Sequence, residues 1–438
     1  MNLINEQFKD ILGYMSSKKV RPEEIDEIVE KAYFSDQNLL KNFFKDIKKI
    51  AMERGIFPAS LHNTYKSFGK RKLEFTVPAF NVRFLPYYTM RAIFRKAVEM
   101  EVGWFIMEIA KSEIEYTGHT PLMYSFLVLA SAVREGFAGP VFIQADHFQI
   151  NRKKFFENPD EEISTLKNLI ISTIEADFYN IDIDASTLVS VDEKDPFKEQ
   201  EKNGIVTAEL TEFIRKNQPE GVEINIGGEI GEIGKRNSTP EDLIAFMEIY
   251  LEELKRRNVK EGLTKISIQT GTKHGGFVLP DGSVAKIDVD FETIEKLSKL
   301  SRERYGLGGV VQHGASTLPR EFFKKFPEAG TLEIHLATEF QNILFNSRSI
   351  PEGLKREMFE YIMEKFGGEK KSDETEEQFF YRMRKFCAKE FNKKLWTLPE
   401  ENKKRYMEEI GEYVQFIFTS LGVKGTIRES KQIQPPRA

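Results

Sequence analysis

Hydrophobic and polar positions follow two rhythms along this chain. Up to about residue 70, apolar residues recur three and four apart in NEQFKDILGYM, PEEIDEIVEKAYF and DQNLLKNFFKDIKKIAMERG, the spacing of one helical face. From Leu73 onward, short β-branched and aromatic runs alternate with amphipathic stretches. The runs are LEFTVPAF, GWFIMEIA, PVFIQA, FYNIDI, GVEINI, TKISIQ, GGVVQ and TLEIHL, separated by segments such as YYTMRAIFRKAVEM and TPEDLIAFMEIYLEELKRR. Eight such strands alternating with helices predict an α/β fold, a parallel sheet closed into a (β/α)8 TIM barrel. Past residue 350 the strand signal stops. GLKREMFEYIMEKFG, ETEEQFFYRMRKFCAKEF and EENKKRYMEEIGEYVQFIFTSLG read as helices, GGEKKSDE as a charged linker, and RESKQIQPPRA as a poorly ordered tail. The predicted organisation is an N-terminal helical extension over 1–70, a barrel over 71–350 and a C-terminal helical appendage over 351–438.

Composition narrows the partners. The 438 residues are 40% hydrophobic and 30% charged, enough apolar material for one large core with additions. Sixty-four Lys and Arg against 69 Asp and Glu leave a formal charge of −5 with no basic tail, so nucleic acid is not expected as a partner. The single cysteine, Cys387, excludes an intrachain disulfide and a cysteine-rich metal site, and it fits a reducing compartment. Any zinc must then be held by histidines and carboxylates. The first residues mix charge into their apolar positions, unlike a signal peptide, and no run reaches the ~18 uncharged apolar residues of a membrane span. A cytoplasmic protein with no membrane partner is expected.

In a barrel of this kind, catalytic side chains come from the C-terminal ends of several strands. The eight exits read Asn81; Ala110-Lys111; Asp146-His147; Asp184-Ala185-Ser186; a GGEIGEIG loop with Glu229; Lys273-His274; His313-Gly314-Ala315-Ser316; and His335 through Thr338-Glu339. Four of the six histidines stand there. A catalytic zinc takes three protein ligands and leaves a position open. His147, His274 and His313 are too distant in sequence for a local motif, so only a fold that gathers strand ends brings them together. Taken singly, each is also compatible with a hydrogen-bonded structural role. Glycine follows two of them, in HGGF and HGAS, where backbone N–H groups can approach an anion without an intervening Cβ. Ser316 and Thr317 precede LPREFFKKF, whose Pro319 suits a first helical turn, so this exit is a candidate to present a helix N-terminus to phosphate; an ordinary capped turn is the alternative. GGEIGEIGKR is not a P-loop, which needs Gly at Glu229 and Ser or Thr at Arg236.

With these residues in order, the segments VPAFNV (77–82), QADHF (144–148), IDAS (183–186), EIGEIG (229–234), HGGF (274–277) and QHGAS (312–316) resemble the class II fructose-bisphosphate and tagatose-bisphosphate aldolase family over roughly residues 70–345. The resemblance implies one Zn2+ per chain on His147, His274 and His313, with Glu229 as an alternative metal ligand and Asn225 as the other register for it; a monovalent cation is a further candidate. It implies that Asp146 handles the proton of the substrate hydroxyl at the bond being cleaved. Phosphate of the dihydroxyacetone phosphate half is placed against Gly275, Gly314 and Ser316, and substrate against Asn81, His335 and Thr338. The reaction implied is cleavage or formation of the C3–C4 bond of a ketose phosphate or bisphosphate through a metal-stabilised enediolate. A phosphorylated sugar is the expected partner, and the chain is expected to form a homo-oligomer through its C-terminal helical arm, with Lys393, Lys394 and Arg405 as candidates for a distal phosphate contact.

Three departures qualify the substrate. The family's final N-x-D-T-D segment reads HLATE, so His335 stands for an asparagine and Ala337 for an aspartate; Ala110 stands for a serine; and the flexible acidic loop is KRNSTPED. The second proton-transfer group is thus open between Glu232 and Glu241, and the substrate is expected to differ from fructose bisphosphate. A zinc-dependent epimerase or isomerase on the same scaffold, using His335 for proton transfer, and a non-catalytic aldolase-like subunit are the competing readings.

Overall fold

The alternation of short apolar runs and amphipathic stretches folds as a closed parallel barrel. The computed structural model describes residues 20–71, 73–189, 193–231, 236–271 and 289–436. Its strands are β1 (Ile56–Pro58), β2 (Val77–Asn81), β3 (Ile106–Ala110), β4 (Gly139–Gln149), β5 (Asn180–Asp184), β6 (Asn225–Glu229), β7 (Lys265–Ile268), β8 (Gly309–Gln312) and β9 (Glu333–Leu336). Strands β2 to β9 pair in parallel all the way round, closing through β4–β5 and β2–β9, which makes an eight-stranded TIM barrel. Helices such as Pro86–Glu99, Pro121–Arg134, Pro196–Asn217 and Pro240–Arg256 surround it. Each of these four carries proline in its first turn, where the missing N–H costs nothing.

Two strand ends depart from the pattern in the sequence. In LEFTVPAF only Val77 onward is strand, because Thr76 is already committed elsewhere: its N–H donates to Leu421 O at 3.0 Å and its hydroxyl to Thr331 O at 2.8 Å. In GVEINIGGE the strand runs later than the apolar run, over Asn225–Glu229, so Glu229 ends β6 rather than riding in a loop. The glycines belong in the strand for a steric reason. A Cβ on Gly227 would lie 2.3 Å from Asp182 Oδ1 and 2.8 Å from Lys265 Cε, an ion pair that fills the barrel at that level.

The N-terminal helices Pro22–Tyr33 and Gln37–Glu53 lead into β1, a strand the sequence pattern did not announce, which pairs with the first residues of β4. Below it, the Asn180 side chain at the start of β5 takes the Leu61 N–H at 2.9 Å and donates to Ala59 O and Ile143 O at 3.1 Å each. The helix His62–Phe68 then lies across the N-terminal end of the barrel, its Tyr65 hydroxyl donating to Glu333 inside it.

At the other end of the chain, the helix Glu400–Ser420 packs along Pro86–Glu99 and the short Thr338–Asn346, and Phe418 reaches Phe80 of β2 at 5.9 Å between ring centroids. The closing segment is not a loose tail. Ile427–Ser430 is helical, Trp104 Nε1 donates to Glu429 at 3.1 Å, and Gly103 is so close to Ser430 that no side chain fits between them. Nor does LPREFFKKF form one helix. Pro319 is extended (ψ 141°), and the segment divides into the turn Arg320–Phe322 and the start of the short helix Lys325–Glu328. Among the described residues no helix is long and apolar enough to cross a membrane.

Candidate metal centre

The site begins with an irregularity in β4. Consecutive strand residues face opposite sides of a sheet, yet Asp146 and His147 both serve the barrel's interior. The register against β5 slips between Ala145 and Phe148, and His147 takes a left-handed φ of +41°. This bulge re-aims one extra side chain inward, at a backbone cost of about 1–2 kcal/mol for a non-glycine residue. His147 Nδ1 then lies 3.1 Å from Asp184 Oδ2 at the end of β5 and 3.0 Å from Glu229 Oε2 at the end of β6. Asp184 is itself fixed, its Oδ1 by the Ser186 hydroxyl at 2.6 Å and its Oδ2 by Gln149 at 2.6 Å.

His313, just beyond β8, sets its ring centroid 4.0 Å from that of His147, tilted by 36°, and places Nε2 3.6 Å from Asp146 Oδ1. His335 of β9 inserts Nδ1 between Asp146 Oδ1 at 3.1 Å, Glu108 Oε1 at 3.2 Å and His313 Nε2 at 2.9 Å. All of these side chains are buried or nearly so. Burial works against charge on His147, but Glu229 and Asp146 more than offset it and raise its pKa well above the ordinary value. His313 goes the other way, since burial, His147 and His335 hold it well below, in the neutral form that a metal requires. Burial, then Asp184, pushes Glu229 up to about 7. Crowded carboxylates around a neutral imidazole form a donor set suited to a divalent cation. His147, Glu229 and His313 each offer a ligand atom, all within 4.8 Å of one another, and so do Asp146, His313 and His335.

The sequence-named residues do not all meet at the centre. Asp146, His147, Glu229, His313 and His335 converge at the centre, and Asn81 joins them by donating to Asp146 Oδ2 at 3.0 Å. Asn225 does not, because it lies at the opposite end of β6, where it accepts the Thr264 hydroxyl. Gly314, Ser316 and Thr338 line the cavity above the centre, a space of about 790 Å³. The Ser316 hydroxyl there accepts the Ala337 N–H at 2.7 Å and so ties the β8 and β9 exits together. With no helix starting at Pro319, this exit offers a 3₁₀ turn, Ala315–Thr317, rather than a helix N-terminus. His274, Gly275 and Glu232 lie outside the described residues. Glu241 is an exposed residue of a helix first turn.

The cavity's far wall is this chain's own C-terminal region, including Lys371, Tyr381, Arg382 and Lys385. Lys394 instead pairs with Glu357 and Arg405 with Glu401 in exposed positions, and Lys393 packs near the Phe34 ring, so none of these three borders the cavity.

Residues 69–403 match the model of the family described as Fructose-bisphosphate aldolase class-II. The chain belongs to the class II fructose-bisphosphate aldolase family. No curated protein matches the sequence. Among the solved structures that this class II aldolase family member resembles in fold are the following three. One is described as a probable tagatose 6 phosphate kinase from Sinorhizobium meliloti (16% identity, covering 83% of this chain and 95% of that one, TM-score 0.55). Another is a fructose-bisphosphate aldolase from Campylobacter jejuni (16% identity, 85% and 97%, TM-score 0.50). The third is a fructuronate-tagaturonate epimerase from Cohnella laeviribosi (11% identity, 83% and 85%, TM-score 0.53). Class II aldolases are metal-dependent, and the donor set above fits that requirement.

Sequence reasoning missed several residues around this centre. Asp184 orients His147, and its one signal was the Asp-x-Ser turn at a strand exit. Glu108 braces His335, and through Gln144 it reaches Lys265, whose ammonium meets Gln144 Oε1 at 2.7 Å, Asp182 Oδ2 at 2.9 Å and Glu333 Oε2 at 2.5 Å. Glu113 accepts from Asn81 at 2.9 Å and from Arg83 at 2.6 Å, extending the network toward the cavity mouth. Nothing in a single sequence marks these as partners.

Proposed function

We propose that this chain is a zinc-dependent carbon–carbon lyase that cleaves or forms the C3–C4 bond of an acyclic phosphorylated ketose other than fructose 1,6-bisphosphate. The observation that carries this is the placement of Asp146 against the donor set of His147, His313 and Glu229. When bound there, the metal supplies Lewis-acid polarisation of the substrate carbonyl, worth several kcal/mol. The chain's own residues do the rest. Asp146, held ionised because His147, His313 and His335 outweigh its burial, accepts the proton of the C4 hydroxyl in the cleavage direction. Asn81 fixes Asp146 Oδ2, leaving Oδ1 on the side of the imidazoles. Asp184 holds the His147 ring in place. The buried cavity floor excludes water from the carbanionic product half.

Epimerisation at C4 is the second reading, and His335 is the observation that favours it. An imidazole touching Asp146 gives the site a second proton-transfer group where the family has an asparagine. The similarity to a fructuronate-tagaturonate epimerase agrees with such a use of the scaffold.

The test is aldol condensation of dihydroxyacetone phosphate with a panel of aldehydes by zinc-loaded protein, alongside product analysis for inversion without triose release. The expected result is condensation in the wild type, loss of zinc in His147→Ala, and a fall of about 10²- to 10⁴-fold with zinc retained in Asp146→Ala. Inversion without fragment release would transfer the site to the epimerase reading. Turnover unchanged in both variants would remove the site altogether.

A further inference from the structure

Asn81 touches two carboxylates, and that decides what it offers a ligand. Its Nδ2 donates to Asp146 Oδ2 at 3.0 Å and to Glu113 Oε2 at 2.9 Å. Ionised carboxylates only accept, so the NH2 end of the amide is the one that faces them, and both of its hydrogens are used. One carboxylate alone would decide which end of the amide turns toward it. A second, from another direction, fixes the amide plane as well. The remaining atom, Oδ1, makes no hydrogen bond among the described residues and is left open on the side of the cavity that Asn81 lines.

Glu113 is itself firmly held. It stands in the first turn of the helix Lys111–Thr117, 2% exposed, and its Oε2 also accepts the Ala110 N–H at 2.9 Å. Its Oε1 takes Arg83 Nε at 2.6 Å and the Tyr116 hydroxyl at 3.4 Å. Arg83 therefore supplies the counter-ion of this buried carboxylate. Ala110, at the strand exit where the family resemblance expects serine, contributes its backbone alone. Among the described residues, the path from Glu113 to the metal centre runs through Asn81. Asn81 stands outward of Asp146, whose Oδ1 faces His313 and His335 while Oδ2 faces the amide. With a ketose carbonyl at the centre and its C4 hydroxyl at Asp146, the next oxygen along the sugar, on C5, is the one that falls to Asn81.

We infer that Glu113 is a positioning residue that sets substrate specificity: by locking the Asn81 amide, it makes Asn81 a hydrogen-bond acceptor for a free C5 hydroxyl beside the bond being cleaved. The inference rests on the functional reading above for the placement of the carbonyl end. A ligand with a hydroxyl at C5 donates to Asn81 Oδ1. One with hydrogen at C5 leaves that oxygen desolvated and unpaired, which is how a site built to bind a hydroxyl rejects the analogue that lacks it.

The test is calorimetric titration of the zinc-loaded protein with xylitol 1-phosphate and 5-deoxyxylitol 1-phosphate, open-chain probes that differ by the C5 hydroxyl alone. The ratio of their affinities does not depend on the fraction of folded protein, so a merely structural role of Glu113 leaves it unmoved. The wild type is expected to favour the hydroxylated probe about 5- to 10-fold. Glu113→Ala is expected to cut that preference to about twofold or less. Glu113→Gln, whose amide oxygen can still take the Asn81 and Ala110 N–H groups, is expected to keep most of it. Asn81→Ala is expected to abolish it, with no further change when Glu113→Ala is added. Should the unpaired Arg83 prevent Glu113→Ala from folding, Arg83→Met combined with Glu113→Leu removes both charges and carries the same expectation. No preference in the wild type, or one that survives loss of the Glu113 carboxylate, overturns the inference. Aldol condensation by the same wild-type samples reports on the functional reading separately. A protein that condenses no aldehyde yet shows the Glu113-dependent preference refutes the lyase and spares Glu113, and one that condenses without the preference does the reverse.

Discussion

The two ends of the barrel both bury charge, and they do so to opposite effect. At the N-terminal end, the Lys265 ammonium is surrounded by Gln144, Asp182 and Glu333, with the Tyr65 hydroxyl closing on Glu333 at 2.8 Å. One cation there satisfies its neighbours from inside the chain. At the C-terminal end, Asp146, Asp184 and Glu229 crowd three imidazoles with different pKa values: burial, then His147 and His335, holds His313 down, whereas against their burial Glu229 raises His147 and Glu108 raises His335. No lysine or arginine reaches into that cluster among the described residues. A barrel interior is ordinarily filled by branched apolar side chains, so charge in two layers calls for two explanations. Where the chain supplies the counter-ion, the layer is a structural clamp. Where it leaves carboxylates and a neutral imidazole facing one another, the missing partner comes from outside.

The contrast breaks most visibly at Lys265. Lys265→Met leaves the carboxylates of Asp182 and Glu333 buried without their cation, a change that costs about 3–5 kcal/mol. Urea unfolding should show a corresponding drop in midpoint, with zinc content of the remaining folded protein unchanged. Unaltered stability would mean that the lower layer is not held by this ammonium. A second, smaller effect at the same end follows from His62, which lies 3.3 Å from Glu261 and 3.5 Å from the Arg215 guanidinium. Burial, then Arg215, lowers its pKa from 6.5 to about 4 despite Glu261. Between those values the unfolded chain binds more protons than the folded one, so stability falls as pH drops from about 6.5 to about 4. The loss is up to about 3 kcal/mol for this group. Stability measured against pH should be flatter by that amount in His62→Gln, and parallel curves for the two proteins would remove His62 from the lower layer's energetics.

The same contrast explains what could be read in the sequence. The barrel was legible because each strand is an apolar run and each helix an amphipathic one, and the exits were legible because catalytic chemistry needs histidine and aspartate there. Asp146, His147, His313 and His335, named from their strand exits, are therefore the ones that the fold brings together, and Glu229 joins them from a strand that runs later than its apolar run. That offset has a physical cause: Gly227 and Gly228 read as loop signals, whereas Gly227 is small to make room for Lys265 and Asp182, which approach it from other strands. β1 was hidden because three residues, Ile56–Pro58, leave no periodicity. The lower charge layer was illegible for a related reason. Glu108, Gln144, Asp182, Lys265 and Glu333 stand singly within apolar strands and acquire meaning only when five strands bring them together. The C-terminal wall of the cavity was expected as an arm for a neighbouring chain, with Lys393, Lys394 and Arg405 toward its ligand. Within this chain Lys385, on the turn Arg384–Cys387, borders the cavity while Lys393 and Lys394, on the helix that follows, do not, a distinction that no sequence pattern makes.

The finest test of the two-layer view lies within a single strand. Asp182 and Asp184 are two residues apart on β5, so their side chains share the inward face one level apart, Asp182 on Lys265 and Asp184 on His147. Asp184→Asn keeps an oxygen for the Ser186 hydroxyl and N–H, gives up the acceptor of the Gln149 amide, and removes the charge that orients and polarises His147. Metal affinity is then expected to fall about 10- to 100-fold, the usual effect of losing a carboxylate behind a ligating histidine. Stability of the metal-free chain should stay within about 1–2 kcal/mol of wild type, since the Ser186 hydrogen bonds persist and only the Gln149 and His147 contacts to Oδ2 are lost. Asp182→Asn should do the reverse, lowering stability by weakening the Lys265 clamp while leaving metal affinity within about threefold, because its one neighbour in the centre, His335 within 4.8 Å, is not among His147, Glu229 and His313, which offer the metal its ligand atoms. Competitive zinc chelation and urea unfolding on the two variants separate these outcomes. If both substitutions weakened metal binding alike, the two layers would be one coupled network, linked through the path His335–Glu108–Gln144–Lys265, and the division between clamp and centre would fall.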